Sequence, residues 1–297
     1  MRHKVVDIDG PVHFVDFGGE GSPLLMVHGL GGNALNWTSV GPELAKRHHA
    51  IAIDLAGFGQ TPLFKRSAAV GANADLVRHF IDEVFDEPVI LMGNSMGGHI
   101  SILVGADHPD QVDRLVLVDP AVPGVHVRRP EPAMLGMMAA LSVPGLAENL
   151  IDRRARMLGP EGLVKETLAL VCADPTRVSA DVVAAHVRLT SERANLGRQN
   201  YRAFLQATRS IGLRMADPRF WQRARQVKAP TLVIHGELDH LIPLAAAREL
   251  VRRVPDWKLQ VIDGVGHVPM MEAPDRFLGV FGEWMAYRIA PTPATIS

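Results

Sequence analysis

The residue pattern predicts an α/β fold: a mostly parallel central sheet flanked by helices, with an inserted helical cap. Three observations predict it. Short apolar or β-branched runs alternate with amphipathic stretches up to Val118. The alternation stops near Asp119, and residues 122–226 contain no convincing strand. It resumes after Pro230. Strands that alternate with helices imply parallel pairing, because a parallel return needs a long crossover, usually a helix.

Residues 12–17, 24–28 and 50–54 read as strands. Residues 72–85 place Leu76, Val77, Phe80, Ile81, Val84 and Phe85 on one face at helical spacing. The run 88–93 (PVILMG) is continuously apolar, as in a strand buried on both faces. Residues 96–106 read as a helix and 114–118 (RLVLV) as the next strand. Helix-like stretches follow at 132–141, 146–158, 162–172, 180–191 and 198–211. Then come a strand at 231–235 (TLVIH), a helix at 244–253 and a strand at 258–262. A helix at 274–287 has proline near its first turn, where the missing N–H costs nothing.

The implied division is a first core part at 1–121, a helical cap at 122–226, a second core part at 227–290 and a disordered tail at 291–297. The cap is expected above the carboxyl ends of the strands, where open α/β sheets bind ligands. Met134, Leu135, Met137, Met138 and Leu141 suit an apolar pocket there, and equally the packing of the cap onto the core.

A chain of 297 residues, 47% apolar and 21% charged, can bury a sizeable core without disulfides or metals. The formal net charge is −1, so no strong field recruits nucleic acid or an acidic membrane surface. A small-molecule substrate is expected. The single cysteine, Cys172, allows no intrachain disulfide and suits a reducing compartment. The opening MRHKVVDIDG has no apolar run after its basic residues, and no stretch is long enough to span a bilayer. A cytoplasmic location is expected.

Gly93-Asn94-Ser95-Met96-Gly97 is a G-x-S-x-G sequence between a strong strand and a helix. A nucleophile on so tight a turn needs neighbours without side chains, because the backbone doubles back on itself. Ser95 would project above the sheet at a helix N-terminus that favours developing negative charge. A serine hydroxyl needs a base, and the base needs an orienting acid. His267 follows the last strand in Gly264-Val265-Gly266-His267, and Asp239 follows TLVIH in Gly236-Glu237-Leu238-Asp239. Both fall at strand carboxyl ends, on the same edge of the sheet as Ser95.

On these residues the chain resembles the α/β-hydrolase superfamily with a helical cap. The resemblance is carried by HGLGG (28–32), DLAGFG (54–59), GNSMGG (93–98), HGELDHLIP (235–243) and GVGHVPMMEAP (264–274). The order serine, aspartate, histidine also fits. The resemblance implies a catalytic triad of Ser95, Asp239 and His267. It also implies an oxyanion hole built from the Leu30 and Met96 N–H groups. No cofactor is implied, and no histidine pair shows metal-ligand spacing, so no metal is expected.

Other candidates carry less. His28 suits shaping of the oxyanion loop better than proton transfer. His235 and His240 flank Asp239 without the Gly-rich loop that would carry them to Ser95. His48 and His49 suit ordinary packing. Asp119 also ends a strand and is the rival to Asp239, with Glu237 a weaker one. Asp54 suits bonding of turn N–H groups.

Haloalkane dehalogenases and epoxide hydrolases of this superfamily carry aspartate at the nucleophile position, so Ser95 points away from them. Carboxylic ester hydrolysis of a small to medium apolar substrate is the first expectation. The alternative is hydrolysis of a carbon–carbon bond in vinylogous diketones (meta-cleavage products). That family usually carries tryptophan directly after the catalytic histidine, where Val268 stands here. It also carries a cap arginine, for which Arg188, Arg193 and Arg202 are candidates. A cofactor-free haloperoxidase or perhydrolase fits less well, since those are typically uncapped. A non-enzymatic relative, such as a hormone receptor, would not need the intact set of site residues.

Overall fold

A computed structural model describes residues 1–124, 146–194 and 198–286 of the chain. The helix expected at 132–141 and the tail at 291–297 lie outside these residues. Eight strands form one sheet: β1 (Arg2–Asp7), β2 (Pro11–Gly18), β3 (Ser22–Val27), β4 (His48–Ile53), β5 (Val89–Asn94), β6 (Val112–Val118), β7 (Thr231–Gly236) and β8 (Lys258–Ile262). Their order across the sheet is β1-β2-β4-β3-β5-β6-β7-β8. Strands β4 through β8 in that order pair in parallel; β1 and β2 form an antiparallel edge.

The strand β1 departs from the sequence reading. Its residues RHKVVD are mostly exposed and carry no apolar alternation. Pairing with β2 and charge hold it in place: Lys4 Nζ and Arg2 lie 2.7 and 3.2 Å from the buried Asp16 carboxylate.

Alternation along the central strands explains their apolar composition. Leu25, Val27, Leu91, Leu115, Leu117 and Val233 face one core. Their neighbours Leu24, Met26, Met92, Val116, Leu232 and Ile234 face the other. Successive side chains of a strand point to opposite faces, so a sheet covered on both sides needs continuous apolar runs. Helices α2 (Val70–Val84), α3 (Met96–Asp107) and α8 (Leu244–Arg253) cover the first face through residues such as Phe80, Ile100 and Leu250. The second face is covered by the short turns Gly41–Leu44 (α1) and Pro269–Glu272 (α9), and by α10 (Pro274–Ala286) with Phe277 and Phe281.

Between β6 and β7 the described residues form α4 (Leu146–Val171), α5 (Ala180–Ala194), α6 (Arg198–Met215) and α7 (Phe220–Gln226). No strand occurs among them. Gly159, at φ 64°, breaks α4 just before Pro160, which accounts for two expected helices appearing as one kinked run. No described helix is long and apolar enough to cross a membrane.

Helix α3 is buried from Met96 to Gly105, which forces its one histidine into the core. His99 donates from Nδ1 to Ala121 O at 2.9 Å and stacks on Phe220 at 4.8 Å. Burial lowers its pKa from 6.5 to about 4. The folded state therefore resists a proton that the unfolded chain accepts. The stability held by neutral His99 is complete above pH 6.5 and is lost as pH falls towards 4. The full effect is about 3 kcal/mol. Urea unfolding at pH 7 and pH 4.5 should show a smaller acid destabilisation in His99→Gln than in the parent.

Candidate active site

The carboxyl ends of β3, β5, β6, β7 and β8 open on one edge of the sheet, and the site is assembled there. Strand β5 ends at Asn94, and α3 begins at Met96. Ser95 joins them at φ 56°, ψ −116°, a conformation that costs a residue with a Cβ about 1–3 kcal/mol. The surroundings hold it there. Ser95 N donates to Val118 O at 2.9 Å, and Ser95 O accepts from His99 N and Ala121 N at 3.1 and 3.0 Å.

The glycines of the motif are needed for space. A Cβ on Gly93 would lie 2.4 Å from both Gly97 O and Ser101 Oγ. One on Gly97 would lie 2.4 Å from Val27 O, and one on Gly29 would lie 2.9 Å from Ser95 Cβ. The HGLGG loop therefore passes directly beside Ser95. His28 shapes that loop, as its sequence position suggested. Its Nδ1–H donates to Gly29 O at 2.7 Å, and its Nε2 accepts from Leu55 N at 3.0 Å. Complete burial pushes its pKa down, which fits this neutral form. Among the described residues no hydrogen-bond acceptor takes the Leu30 or Met96 N–H.

On the other side, His267 Nδ1 donates to Asp239 Oδ2 at 2.6 Å, with both side chains buried. Asp239 Oδ1 accepts from Leu241 N and Ile242 N at 2.8 and 2.9 Å. Burial alone would raise the Asp239 pKa. The hydrogen bond and charge of His267 and the Ile242 N–H outweigh it and hold it below the usual value. The base and acid expected from the sequence thus meet. Ser95 has no direct side-chain hydrogen bond to His267 among the described residues. The link runs through Asn94, whose Nδ2 donates to both Val118 O and His267 O at 3.1 Å.

Two groups that the sequence reading left without a role position the histidine. Asn94 is one. The other is Glu272, 2% exposed, which accepts Gly266 N at 2.8 Å, Ala173 N at 3.0 Å and Asp174 N at 2.9 Å. His267 N also donates to Val171 O at 2.7 Å. The end of α4 and the histidine loop therefore share one anchor. The signal was a carboxylate among apolar residues in GVGHVPMMEAP, which has no reason to be buried unless it binds N–H groups.

The rival acids fall elsewhere. Glu237 is exposed and accepts Gly264 N at 2.9 Å. Asp54 accepts Ala34 N, Gln60 N and His13 Nδ1 at 2.6, 2.7 and 2.6 Å, so it ties turns together. Asp119 lies near Asp239 and does not reach His267 by any hydrogen bond among the described residues. Asp119, His235 and Asp239 offer donor atoms within 4.8 Å of one another, a spacing that could hold a cation. Asp239 already takes three N–H donors, which leaves little free for a metal.

A sequence model of the family described as alpha/beta hydrolase fold matches residues 22–274. The chain is 29% identical over 290 residues to a 2-hydroxy-6-oxo-6-(2'-aminophenyl)hexa-2,4-dienoic acid hydrolase of Metapseudomonas resinovorans, covering 93% of this chain and 88% of that one. It is 30% identical over 278 residues to a 2-hydroxymuconate semialdehyde hydrolase of Pseudomonas sp. strain CF600, covering 90% and 88%. Among solved structures, a membrane phospholipase A described as a bacterial virulence factor superposes with a TM-score of 0.73 at 26% identity, covering 96% of this chain and 85% of that one.

Asp239→Asn should cost turnover roughly a thousandfold, because the amide cannot hold the Nδ1–H tautomer of His267. Asp119→Asn should cost far less; the reverse ranking in steady-state kinetics would move the acid to Asp119. Glu272→Ala strands three buried or half-buried N–H groups and should lower the urea-unfolding free energy by about 3 kcal/mol.

Proposed function

This chain belongs to the alpha/beta hydrolase fold family, and on that premise we propose that it is a serine hydrolase acting through an acyl-enzyme. The observation that carries the reading is the 2.6 Å His267–Asp239 bond beside a serine held at positive φ on a strand-to-helix turn. Ser95 Oγ attacks the substrate carbonyl while His267 Nε2 takes its proton. Asp239 keeps the imidazole in the Nδ1–H tautomer and stabilises the imidazolium. The Leu30 and Met96 N–H groups receive the oxyanion, each contributing about 3 kcal/mol to lowering the barrier. His267 then protonates the leaving group, and water repeats the cycle on the acyl-enzyme. The helices between β6 and β7, within the cap read at 122–226, close the site over the strand ends.

The bond we assign to it first is a carboxylic ester. Two of the three arginines that could bind a substrate carboxylate point elsewhere. Arg193 donates to Gly57 O at 2.8 Å and also to Gly59 O, clamping α5 onto the DLAGFG turn. Arg188 lines a groove of about 710 Å³ with Lys165, Leu168 and Val187, which none of Ser95, Asp239 and His267 lines. Val268 is buried in the second core, where carbon–carbon hydrolases of this superfamily place tryptophan. The second reading, cleavage of a carbon–carbon bond in a vinylogous diketone, is favoured by the two relatives whose names specify dienoate and semialdehyde substrates.

A fluorophosphonate probe should label Ser95 in the native protein and fail on Ser95→Ala, whose turnover should fall by several orders of magnitude. More than about a tenth of the activity surviving in that variant would overturn the assignment. A panel of p-nitrophenyl esters of increasing chain length, run against a meta-cleavage dienoate, separates the two substrate classes. Higher kcat/KM on the dienoate than on every ester would reverse their order.

A further inference from the structure

Strand β6 ends at Val118, and the next residue, Asp119, takes φ 46°. A residue with a Cβ held there is strained, and such strain persists only where the surroundings over-determine it. The Asp119 side chain is completely buried. Its Oδ1 accepts Gly236 N at 2.9 Å, but its Oδ2 has no donor. The groups facing it offer none. Asp239 is a carboxylate committed to His267. His235 approaches Asp119 Oδ1 at 3.6 Å with Nδ1, yet its ring proton is on Nε2, donated to Ile242 O at 2.9 Å. Nδ1 is therefore a lone pair, and it too is unpartnered. Glu272 adds a further negative charge nearby, and His267 is reached only through Asp239. No lysine or arginine pairs with Asp119 among the described residues.

Asp119 Oδ2 and the Asp239 carboxylate facing each other without a proton between them is an unstable arrangement at this depth. An unsatisfied buried acceptor costs about 1–3 kcal/mol, and two adjacent carboxylates resist joint ionisation. One proton removes both penalties. We propose that Asp119 is a positioning residue held as a neutral acid, its Oδ2–H donating to the Asp239 carboxylate. Burial first, and then the charge of Asp239, push the Asp119 carboxyl well above its usual range. Asp239 then receives donors on every side: Leu241 and Ile242 N–H, His267 Nδ1–H and Asp119 O–H. Such a donor lowers the basicity of Asp239, keeps it ionised beside His267 and fixes its plane. The role in turnover rests on the serine-hydrolase reading; the protonation itself does not.

Asparagine reproduces the proposed state, since its oxygen can take the Gly236 N–H and its amide can donate to Asp239. Asp119→Ala should lower kcat on the best p-nitrophenyl ester about tenfold or more with KM within about twofold, and Asp119→Asn should restore most of it. In Asp119→Asn the acid limb of kcat/KM should stay within about 0.3 pH unit of the parent. An ionised Asp119 would instead be a charge lost near the base, and its removal would move that limb down by about a unit. Infrared difference spectra of parent minus Asp119→Asn at neutral pH supply a readout that needs neither activity nor the alanine variant. The carbonyl stretch of a protonated carboxylic acid should be present in the parent and absent from the variant. No such band, or a downshifted acid limb, overturns the proposal. Failure of Ser95 to react with the fluorophosphonate, with the band present, sinks the hydrolase reading and leaves the neutral Asp119 standing.

Discussion

A Cβ added to Gly97 would meet the Val27 carbonyl at 2.4 Å and the His28 carbonyl at 2.5 Å. The first turn of α3 is thus pressed against the end of β3, and the rest of the site follows from that approach. Ser95 has no relaxed conformation available between a strand and a helix so close together, and it takes φ 56°. The same closeness carries the HGLGG loop past Ser95, where a Cβ on Gly29 would lie 2.9 Å from Ser95 Cβ. Glycine at three positions is what permits the contact, since any side chain there would push the segments apart.

The histidine side of the site is built on a different principle. His267 lies five residues beyond the end of β8, on a loop that no ladder hydrogen bond stiffens. Its position is set by polar contacts from other parts of the chain. Asn94 binds its carbonyl, Val171 receives its N–H, and Glu272 collects the N–H groups of Gly266, Ala173 and Asp174. Glu272 is buried and fully used, which is the condition under which a buried carboxylate stabilises rather than costs. Because two of its donors lie just past α4, the end of that helix within the insert and the histidine loop are held by one side chain. Packing of that insert and placement of the base are therefore linked physically.

Much of this was legible in the residues. The apolar run 88–93 announces a strand buried on both faces, and the structure shows the strands β3 to β7 alternating into two cores. The G-x-S-x-G turn, the Gly-rich loop after β3 and the loops after β7 and β8 were each placed at strand ends. Strand β1 was not legible, because an exposed charged edge strand has no apolar period to read; its pairing to β2 and the Lys4–Asp16 contact make it a strand. Asn94 and Glu272 stood inside segments already singled out; the apolar neighbours of Glu272 were its one signal, while nothing local distinguishes an Asn94 that binds a distant carbonyl from one that faces water.

The sequence by itself determined the alternation of strand and helix, the tight serine turn and the set of residues at the strand ends. These depend on side-chain period, on the absence of Cβ atoms and on chain order, all of which are local properties. Only the tertiary structure decided which carboxylate meets His267. Asp119 and Asp239 both follow parallel strands, and the sequence reading favours Asp239 and keeps Asp119 as its rival. The fold sets Asp239 against the imidazole and leaves Asp119 without a bond to it, with an oxygen that no donor reaches. That choice is a matter of distance and burial across the sheet, and no local pattern encodes it.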